Sequence, residues 1–485
     1  MKNDNPLKEK VINGMVWKFS EKIGVQLMQF VIQVVLARLL TPGDFGTIAI
    51  ITVFIMIANV LVQYGFTMAL VQRKDVNALD YSTVFYINLL ISTVMYILLF
   101  VFAPSVSRIY SDPHLVLLLR VQSLMLFGGA ISGVQNAYIS RKMNFKKSFI
   151  VNFLAVAGQG ICGIVLAVLN YGIWSLVVSQ LLNSILLVVF GFLFIDWRPI
   201  IGFSVNSIKS MFGFGKNLLL ASLIQTIFTN IYSLTIGKFY NTETLGYYNR
   251  GYSIPSMLIT TIDGSIQGVL FPALSICQDN KKKLVAMMRK SIRMSSYLIC
   301  PIMFGIVAVA PNLISVLLTD KWLPAVPFLR LSCIALAIYP IHTANLQAIS
   351  AVGKSDIYLK LEIIKKILMV TILVITLPIG IEYVMWGNVA CSLISTVINA
   401  YPNKKLFDYA LIKQLKDLVP SFLLSSSMGI IVYFIGLLPA HSTIIRLIVQ
   451  IIIGIVVYIV GSIIINIPEF SDAKDIIRNV LSKRL

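Results

Sequence analysis

The chain is 485 residues long, 58% hydrophobic and 12% charged, with 40 lysines and arginines against 20 aspartates and glutamates and a formal net charge of +20. Such a composition excludes an ordinary water-soluble globule, and no polar stretch is long enough to house a separate soluble catalytic domain. A hydrocarbon core ~30 Å thick is crossed by about 20 apolar residues in a helix. In chain order, fourteen segments of that kind are predicted at 11–40, 45–70, 79–103, 113–137, 147–169, 172–195, 217–240, 246–270, 291–318, 324–350, 357–378, 383–402, 417–438 and 443–467. The predicted fold class is therefore all-α integral membrane, with short loops.

The segments repeat. Leu36-Ala37-Arg38-Leu39-Leu40-Thr41-Pro42-Gly43-Asp44-Phe45-Gly46 recurs 200 residues later as Ile236-Gly237-Lys238-Phe239-Tyr240-Asn241-Thr242-Glu243-Thr244-Leu245-Gly246. Ala103-Pro104, Ser111-Asp112 and Leu119-Arg120 recur in order as Ala310-Pro311, Thr319-Asp320 and Leu329-Arg330. The expected organisation is an N-lobe of six helices over 1–205, a C-lobe of six over 206–402, and two further helices with a cytoplasmic tail over 403–485. Six is even, so both lobes enter the membrane with the same polarity, as parallel repeats do.

Placing both termini in the cytoplasm puts 32 of the 40 lysines and arginines on the inner side, among them Lys2, Lys74, Arg478, Lys483 and Arg484. That asymmetry is the one that orients multi-pass proteins. It also assigns the excess charge to a membrane face with anionic lipids, and no nucleic-acid partner is expected. The first apolar segment is too long for a cleavable signal and has no small-residue exit.

Within the first segment, Lys18, Lys22, Gln26, Gln29 and Gln33 fall on one helical face. A single central charge facing lipid costs about 2.5–3.5 kcal/mol, so this face must meet protein or water. Either it lines a cavity or it is a helix interface joined by side-chain hydrogen bonds. The matching positions of the seventh segment are Ser222, Thr226, Thr229 and Ser233, and a polar stripe in both repeats favours a shared cavity between the lobes. Arg250 opens the eighth segment in Tyr247-Tyr248-Asn249-Arg250-Gly251-Tyr252. Its guanidinium either forks onto phosphate oxygens or snorkels to the interface beside the tyrosines. Arg120 and Arg330 lie two turns into their helices, where a cation is expected to line water or pair with an acid. Asp263 and Glu21 are the acids placed to bind a coupling Na⁺ or H⁺, and Glu21 serves equally to balance Lys18 or Lys22.

Other motifs carry no chemistry. Gly158-Gln159-Gly160-Ile161-Cys162-Gly163 has nucleotide-loop spacing but lies inside an apolar helix, where small residues serve close packing. Gly213-Phe214-Gly215-Lys216 lacks phosphate-loop spacing, the three histidines are scattered, and the five cysteines stand singly. Neither a metal nor another cofactor is expected.

Three motifs in order carry a resemblance: the Leu36–Gly46 stretch, Phe271-Pro272-Ala273-Leu274-Ser275, and Lys321-Trp322-Leu323-Pro324-Ala325-Val326-Pro327. With them the chain resembles polysaccharide flippases of the lipopolysaccharide, colanic acid and teichuronic acid exporter type. These belong to the multidrug/oligosaccharidyl-lipid/polysaccharide exporter superfamily. The resemblance implies movement of a polyprenyl-diphosphate-linked oligosaccharide from the inner to the outer leaflet of a bacterial cytoplasmic membrane, without enzymatic chemistry. The Tyr247–Arg250 and Phe271–Ser275 stretches also resemble lipid II flippases. That likeness implies that Arg250 binds the diphosphate and that the prenyl tail stays in lipid along the thirteenth and fourteenth segments, 417–438 and 443–467. Those flippases carry arginines farther along the first helix, where this chain has Gln26, Gln29 and Gln33.

The expected mechanism is alternating access. Lys18, Lys22 and Arg250 would meet the diphosphate, while Gln26, Gln29, Gln33, Thr226, Thr229, Ser233 and Asn249 would meet sugar hydroxyls. An inside-negative potential favours outward movement of an anion by about 2.3 kcal/mol per charge per 100 mV, so membrane potential, Na⁺ or H⁺ is each a candidate driving force. Membrane lipids and polysaccharide polymerase or export proteins are the expected partners. The alternative is a cation-coupled multidrug exporter of the same superfamily. A membrane polymerase would need catalytic acids or a large outer loop, and a passive scaffold would leave the aligned polar stripes without a use.

Overall fold

A computed structural model describes residues 6–472 and 474, apart from 64, 74 and 440; Lys2, Lys74, Arg478, Lys483, Arg484 and most of the expected cytoplasmic tail lie outside the described residues. Among the described residues the regular structure is entirely helical. The chain divides into two compact units, Met1–Gly246 and Tyr247–Leu485. The first holds α1 (Pro6–Leu39), α2 (Pro42–Gln63), α3 (Thr67–Gln72), α4 (Ala78–Tyr110), α5 (Leu115–Gln122), α6 (Met125–Lys142), α7 (Phe145–Val168), α8 (Trp174–Phe194), α9 (Val205–Thr229), α10 (Ile231–Phe239) and the start of α11 (Thr242–Ile276). The second holds the rest of α11, α12 (Lys281–Leu318), a 3-10 turn (Asp320–Ala325), α13 (Val326–Ala337), α14 (Tyr339–Ala351), α15 (Ser355–Thr376), α16 (Ile381–Phe407), α17 (Leu411–Gly436) and α18 (Thr443–Ile464).

Among the described residues eleven helices are long and apolar enough to cross a membrane, which makes this a multi-pass membrane protein. Two bent pairs raise the number to 13: one is broken at Asn230 between α9 and α10 (42°), the other at Ile338 between α13 and α14 (40°). The side chain of Asn230 donates to the Thr226 carbonyl at 2.9 Å, ending one helix, and Pro340 starts the next after Ile338. The 22-residue α15 carries Asp356, Lys360, Glu362, Lys365 and Lys366, too many charges for the same class of span.

The compact units divide the chain at a different place from the sequence repeat, because α9 packs on α2, α3 and α4, and α10 on α2. The linker before α9 is stitched to α4 by polar contacts: Ser82 Oγ accepts from Ile200 N at 2.9 Å, and Thr83 Oγ1 from Ser204 N at 3.1 Å. Asn77 and Asp80 cap the start of α4 reciprocally, and buried Asp80 also accepts from Arg73 and Ser207. The glycines of α7 serve packing. Gly160 lies against Ile32 of α1, while Gly158 and Gly163 lie against Leu186 and Ser179 of α8.

In the second unit, α12 is the central element, packing on α13, α14, α17 and α18. Amide pairs fix these helices where hydrophobicity alone would let them slide. Asn345 and Gln414 exchange hydrogen bonds at 2.8 and 3.0 Å. Asn312 donates to Gln450 at 2.7 Å, and Gln450 donates to the Val432 carbonyl at 2.9 Å, holding α18 to α12 and α17.

Candidate functional site

The polar face of α1 is displaced from the face that carries Gly24, Ile32 and Leu36 against α7. Lys18, Lys22, Gln29 and Gln33 are exposed and Gln26 is half-buried. Glu21 is already engaged: it pairs with Lys18 at 3.1 Å and accepts from Asn152 of α7 at 3.1 Å. Two lysines and one carboxylate leave this end of the stripe with one net positive charge.

On α9, Ser222 and Thr226 are half-buried and Thr229 is exposed, and Ser233 follows beyond the bend on α10. Gln225 donates to Thr229 Oγ1 at 3.3 Å and extends the polar surface. It sits one position off the repeat register, so the spacing pattern does not flag it.

Arg250 gains its position from its neighbours on α11. Tyr248 and Tyr252 stack at 6.0 Å between ring centroids, and Tyr248 meets Phe328 of α13 edge-on. A Cβ on Gly251 would come within 2.7 Å of Leu329 N, so the helix is pressed against the start of α13 there. Residue 250 lies 200° around a helix from residue 248. Arg250 therefore projects from the side of α11 opposite its stacked tyrosines, and it and Asn249 are half-buried.

Asp263 is buried and forms a chain with α14: Thr343 and Gln267 donate to its carboxylate, and Gln347 donates to Gln267 Oε1 at 2.7 Å. Thr343 and Gln347 were invisible as partners in the sequence because they come from a distant segment, whereas Gln267 follows Asp263 by one helical turn on α11. His342 is likewise satisfied. Asn399 Nδ2 donates to its Nδ1 at 2.8 Å, which leaves the Nε2 proton for Thr396 Oγ1 at 2.9 Å.

The structure gives Arg120 and Arg330 each a backbone carbonyl as partner. Arg120 Nε donates to the Phe100 carbonyl at 3.3 Å, and Arg330 Nε to the Val307 carbonyl at 3.1 Å. Each carbonyl lies four residues before a proline inside its helix, Pro104 or Pro311, and so lacks its helical donor.

An apolar cavity of about 520 Å³ opens between α12, α17 and α18, lined by residues including Pro301, Gly305, Val309, Val432 and Ile455, with Tyr297, Tyr458 and Gln450 as its polar atoms. Its wall suits a hydrocarbon chain.

Taken together, many membrane-length helices, an internal sequence repeat and polar helix faces among the described residues define a membrane transporter class. A family model described as "Polysaccharide biosynthesis protein" matches residues 35–327, and the chain belongs to that family. It is 24% identical to the teichuronic acid biosynthesis protein TuaB of Bacillus subtilis (strain 168), covering 89% of this chain and 90% of that one. It is also 24% identical to the lipopolysaccharide biosynthesis protein WzxC of Escherichia coli (strain K12), covering 81% of each. Its fold is that of the solved lipid II flippase MurJ in an inward closed conformation, with a TM-score of 0.71 at 15% identity over 94% of this chain and 98% of that one.

Proposed function

We propose that this protein is a flippase that moves a polyprenyl-diphosphate-linked oligosaccharide from the inner to the outer leaflet of the bacterial cytoplasmic membrane, by alternating access, to supply surface polysaccharide synthesis. The observation that carries the reading is Arg250, held by packed aromatics on the opposite side of α11, in a chain whose relatives are named for surface-polymer biosynthesis. A guanidinium is permanently charged and matches phosphate oxygens in pairs. Lys18 and Lys22 supply further positive charge. Gln26, Gln29, Gln33, Thr226, Thr229, Ser233 and Asn249 offer the hydrogen bonds that sugars need. The tail would occupy the apolar cavity between α12, α17 and α18.

The same reading gives fourteen spans in two six-helix lobes plus two helices, with both termini cytoplasmic: the 13 spans above and α15, whose charges would face protein or water. Membrane potential is a sufficient driving force for an anionic cargo, and Asp263, joined by Thr343 and Gln267, is the first candidate for Na⁺ or H⁺ coupling. Glu21 is the second, in competition with its pairing to Lys18. A polymerase acting on the delivered glycan is the natural partner. A cation-coupled drug exporter is less supported, because its cargo would meet Arg250, Lys18 and Lys22.

The test is leaflet-to-leaflet movement of a fluorescent polyprenyl-diphosphate oligosaccharide in proteoliposomes. Movement with the wild type and its loss in Arg250→Ala are expected. Movement retained in the variant would remove Arg250 from the site, and no movement by folded wild type under an imposed potential would sink the flippase reading.

A further inference from the structure

A second cavity, of about 600 Å³, lies within the Tyr247–Leu485 unit where the start of α12, the end of α16 and the start of α17 meet. Among the described lining residues five cations converge on it: Lys281, Lys282 and Arg289 from α12, and Lys413 and Lys416 from α17. Asp408 is the one carboxylate among them, and it pairs with Lys413 at 3.2 Å. These described lining residues sum to +4.

The floor is fixed. Asp417, buried beneath it, takes a forked pair of hydrogen bonds from Arg289 (both 2.8 Å), one from Arg293 Nε (2.8 Å) and one from the hydroxyl of buried Tyr409 (2.7 Å). Arg289 is thus held in one orientation while remaining about half exposed to the cavity. Lysines that merely snorkel spread apart into water, since like charges repel. These come from two helices and share one walled space. Beside them, Ile412, Leu415 and Val419 form an exposed apolar stripe at helical spacing on α17. A cationic cavity adjoining an apolar stripe matches a phosphate headgroup attached to hydrocarbon chains; a soluble anion would have no use for the stripe.

We propose that this cavity binds the headgroup of an anionic glycerophospholipid, preferentially one bearing two phosphates, with its acyl chains along Ile412, Leu415 and Val419. The site lies on the face that lysine and arginine asymmetry assigns to the cytoplasm, where anionic lipids attract basic clusters. It bridges α12 and α17, so an occupant would brace the second unit. The inference concerns a resident lipid and stands whatever cargo the protein carries.

The test uses full-length protein in detergent, with binding read by native mass spectrometry and by thermal melting. The probes are diphosphatidylglycerol, phosphatidylglycerol, phosphatidylcholine, inorganic pyrophosphate and a short polyprenyl diphosphate. Diphosphatidylglycerol is expected to bind best and to raise the melting temperature. In K281Q/K282Q/K413Q/K416Q its affinity should fall by about a hundredfold to a thousandfold, the scale expected for four lost headgroup contacts. In K142Q/K146Q/K209Q/K354Q, with the same charge change elsewhere, it should change less than about twofold. K413Q/K416Q alone should show an intermediate loss, which keeps the test decisive if the fourfold variant folds poorly. Equal losses in both fourfold variants would overturn the proposal, as would competition by pyrophosphate at matching concentration. Selective binding of the polyprenyl diphosphate in place of the phospholipid would overturn it too, by giving the cavity to an isoprenoid diphosphate.

Discussion

Arg120 donates its Nε proton to the carbonyl oxygen of Phe100, the group that Pro104 strips of its helical partner. In the other repeat Arg330 does the same for Val307, four residues before Pro311. A proline within a helix leaves the carbonyl four residues earlier without a donor, and in an apolar setting an unsatisfied carbonyl is costly. The two arginines are thus one half of a repeated device. The guanidinium of Arg120 also lies over the Phe100 ring at 4.0 Å from its centroid.

The device predicts a coupling between residues that do not bond to each other. Arg120→Ala should destabilise the protein by about 1–3 kcal/mol, because it orphans the carbonyl. In a Pro104→Ala background, residue 104 regains its N–H and supplies the missing bond, so the same truncation should cost about 1 kcal/mol less. Thermal or denaturant unfolding of the four proteins in one detergent measures the cycle. Strict additivity would show that Arg120 acts only through its ring contact. Arg330→Ala with Pro311→Ala should behave alike.

Gly46 and Gly246 are equivalent in the repeat, and their contacts are reciprocal. A Cβ on Gly46 would overlap the carbonyl of Thr242, and one on Gly246 would overlap the carbonyl of Pro42. Each helix start is also capped by a repeat-equivalent residue: Thr41 accepts from Asp44 N at 3.3 Å, and Asn241 from Thr244 N at 2.7 Å. Both backbones would have to move to admit a methyl group. Gly46→Ala and Gly246→Ala should each cost about 1–3 kcal/mol, as overpacking does. Gly43→Ala, whose Cβ meets nothing closer than 3.8 Å, should be nearly silent. Melting temperatures of the three variants provide the comparison, and equal behaviour at positions 43 and 46 would refute the close approach.

The repeat, the membrane class and the near-equivalence of Arg120 with Arg330 were legible in the sequence. The purpose of those arginines was not, because it depends on which carbonyl a proline leaves exposed across two helices. The breaks at Asn230 and Ile338 were hidden within continuous apolar runs, where hydropathy cannot register a bend. The polar stripe of α1 follows from spacing alone, while the commitment of Glu21 to Asn152 requires α7 to be in place. Thr343 and Gln347 became significant only through partners on another helix, while Gln225 and Gln267 pair one turn away on their own helices, a spacing too common to single them out. In the sequence the lysines of the basic cavity carry only an orientation signal, since convergence on one space is a tertiary property.

Asp417 anchors a different kind of dependence. Its carboxylate is buried and serves Arg289, Arg293 and Tyr409 together. Asp417→Asn removes the charge and turns one acceptor into a donor that faces guanidinium. Both arginines are more than a third exposed, so water compensates part of the loss, and about 1–3 kcal/mol is expected. Asp408→Asn is the contrasting variant. Asp408 is exposed and has a left-handed backbone (φ 55°), which asparagine tolerates, so the change should stay within about 0.5 kcal/mol. Chemical denaturation of the two variants should separate them clearly, and equal stability would show that the arginines find water as readily as they find Asp417.

Arg250→Lys discriminates a forked phosphate contact from simple charge. Lysine keeps the charge but presents a point donor in place of a planar fork. On the proposed function, the substitution should slow transport about tenfold, while Arg250→Ala abolishes it. Transport rates in proteoliposomes at matched protein density give the answer. A fully active lysine variant would mean that only the local potential matters.

The apolar cavity between α12, α17 and α18 makes a prediction about cargo length. A Cβ on Gly305 would stand 3.8 Å from Met428 Cε, so a larger side chain can enter the cavity without first breaking the helix packing. Gly305→Phe should fill much of the space a prenyl chain would use and should leave the fold intact, as an unchanged melting temperature would confirm. Transport of a long-chain polyprenyl-diphosphate oligosaccharide should then fall about tenfold, an energetic loss equivalent to about two buried methylene groups. A farnesyl-linked analogue, too short to depend on the cavity, should move at the wild-type rate. If both lengths slowed together, phenylalanine would be impeding a helix motion common to every cargo; if neither slowed, the tail would lie elsewhere and the cavity would hold ordinary lipid.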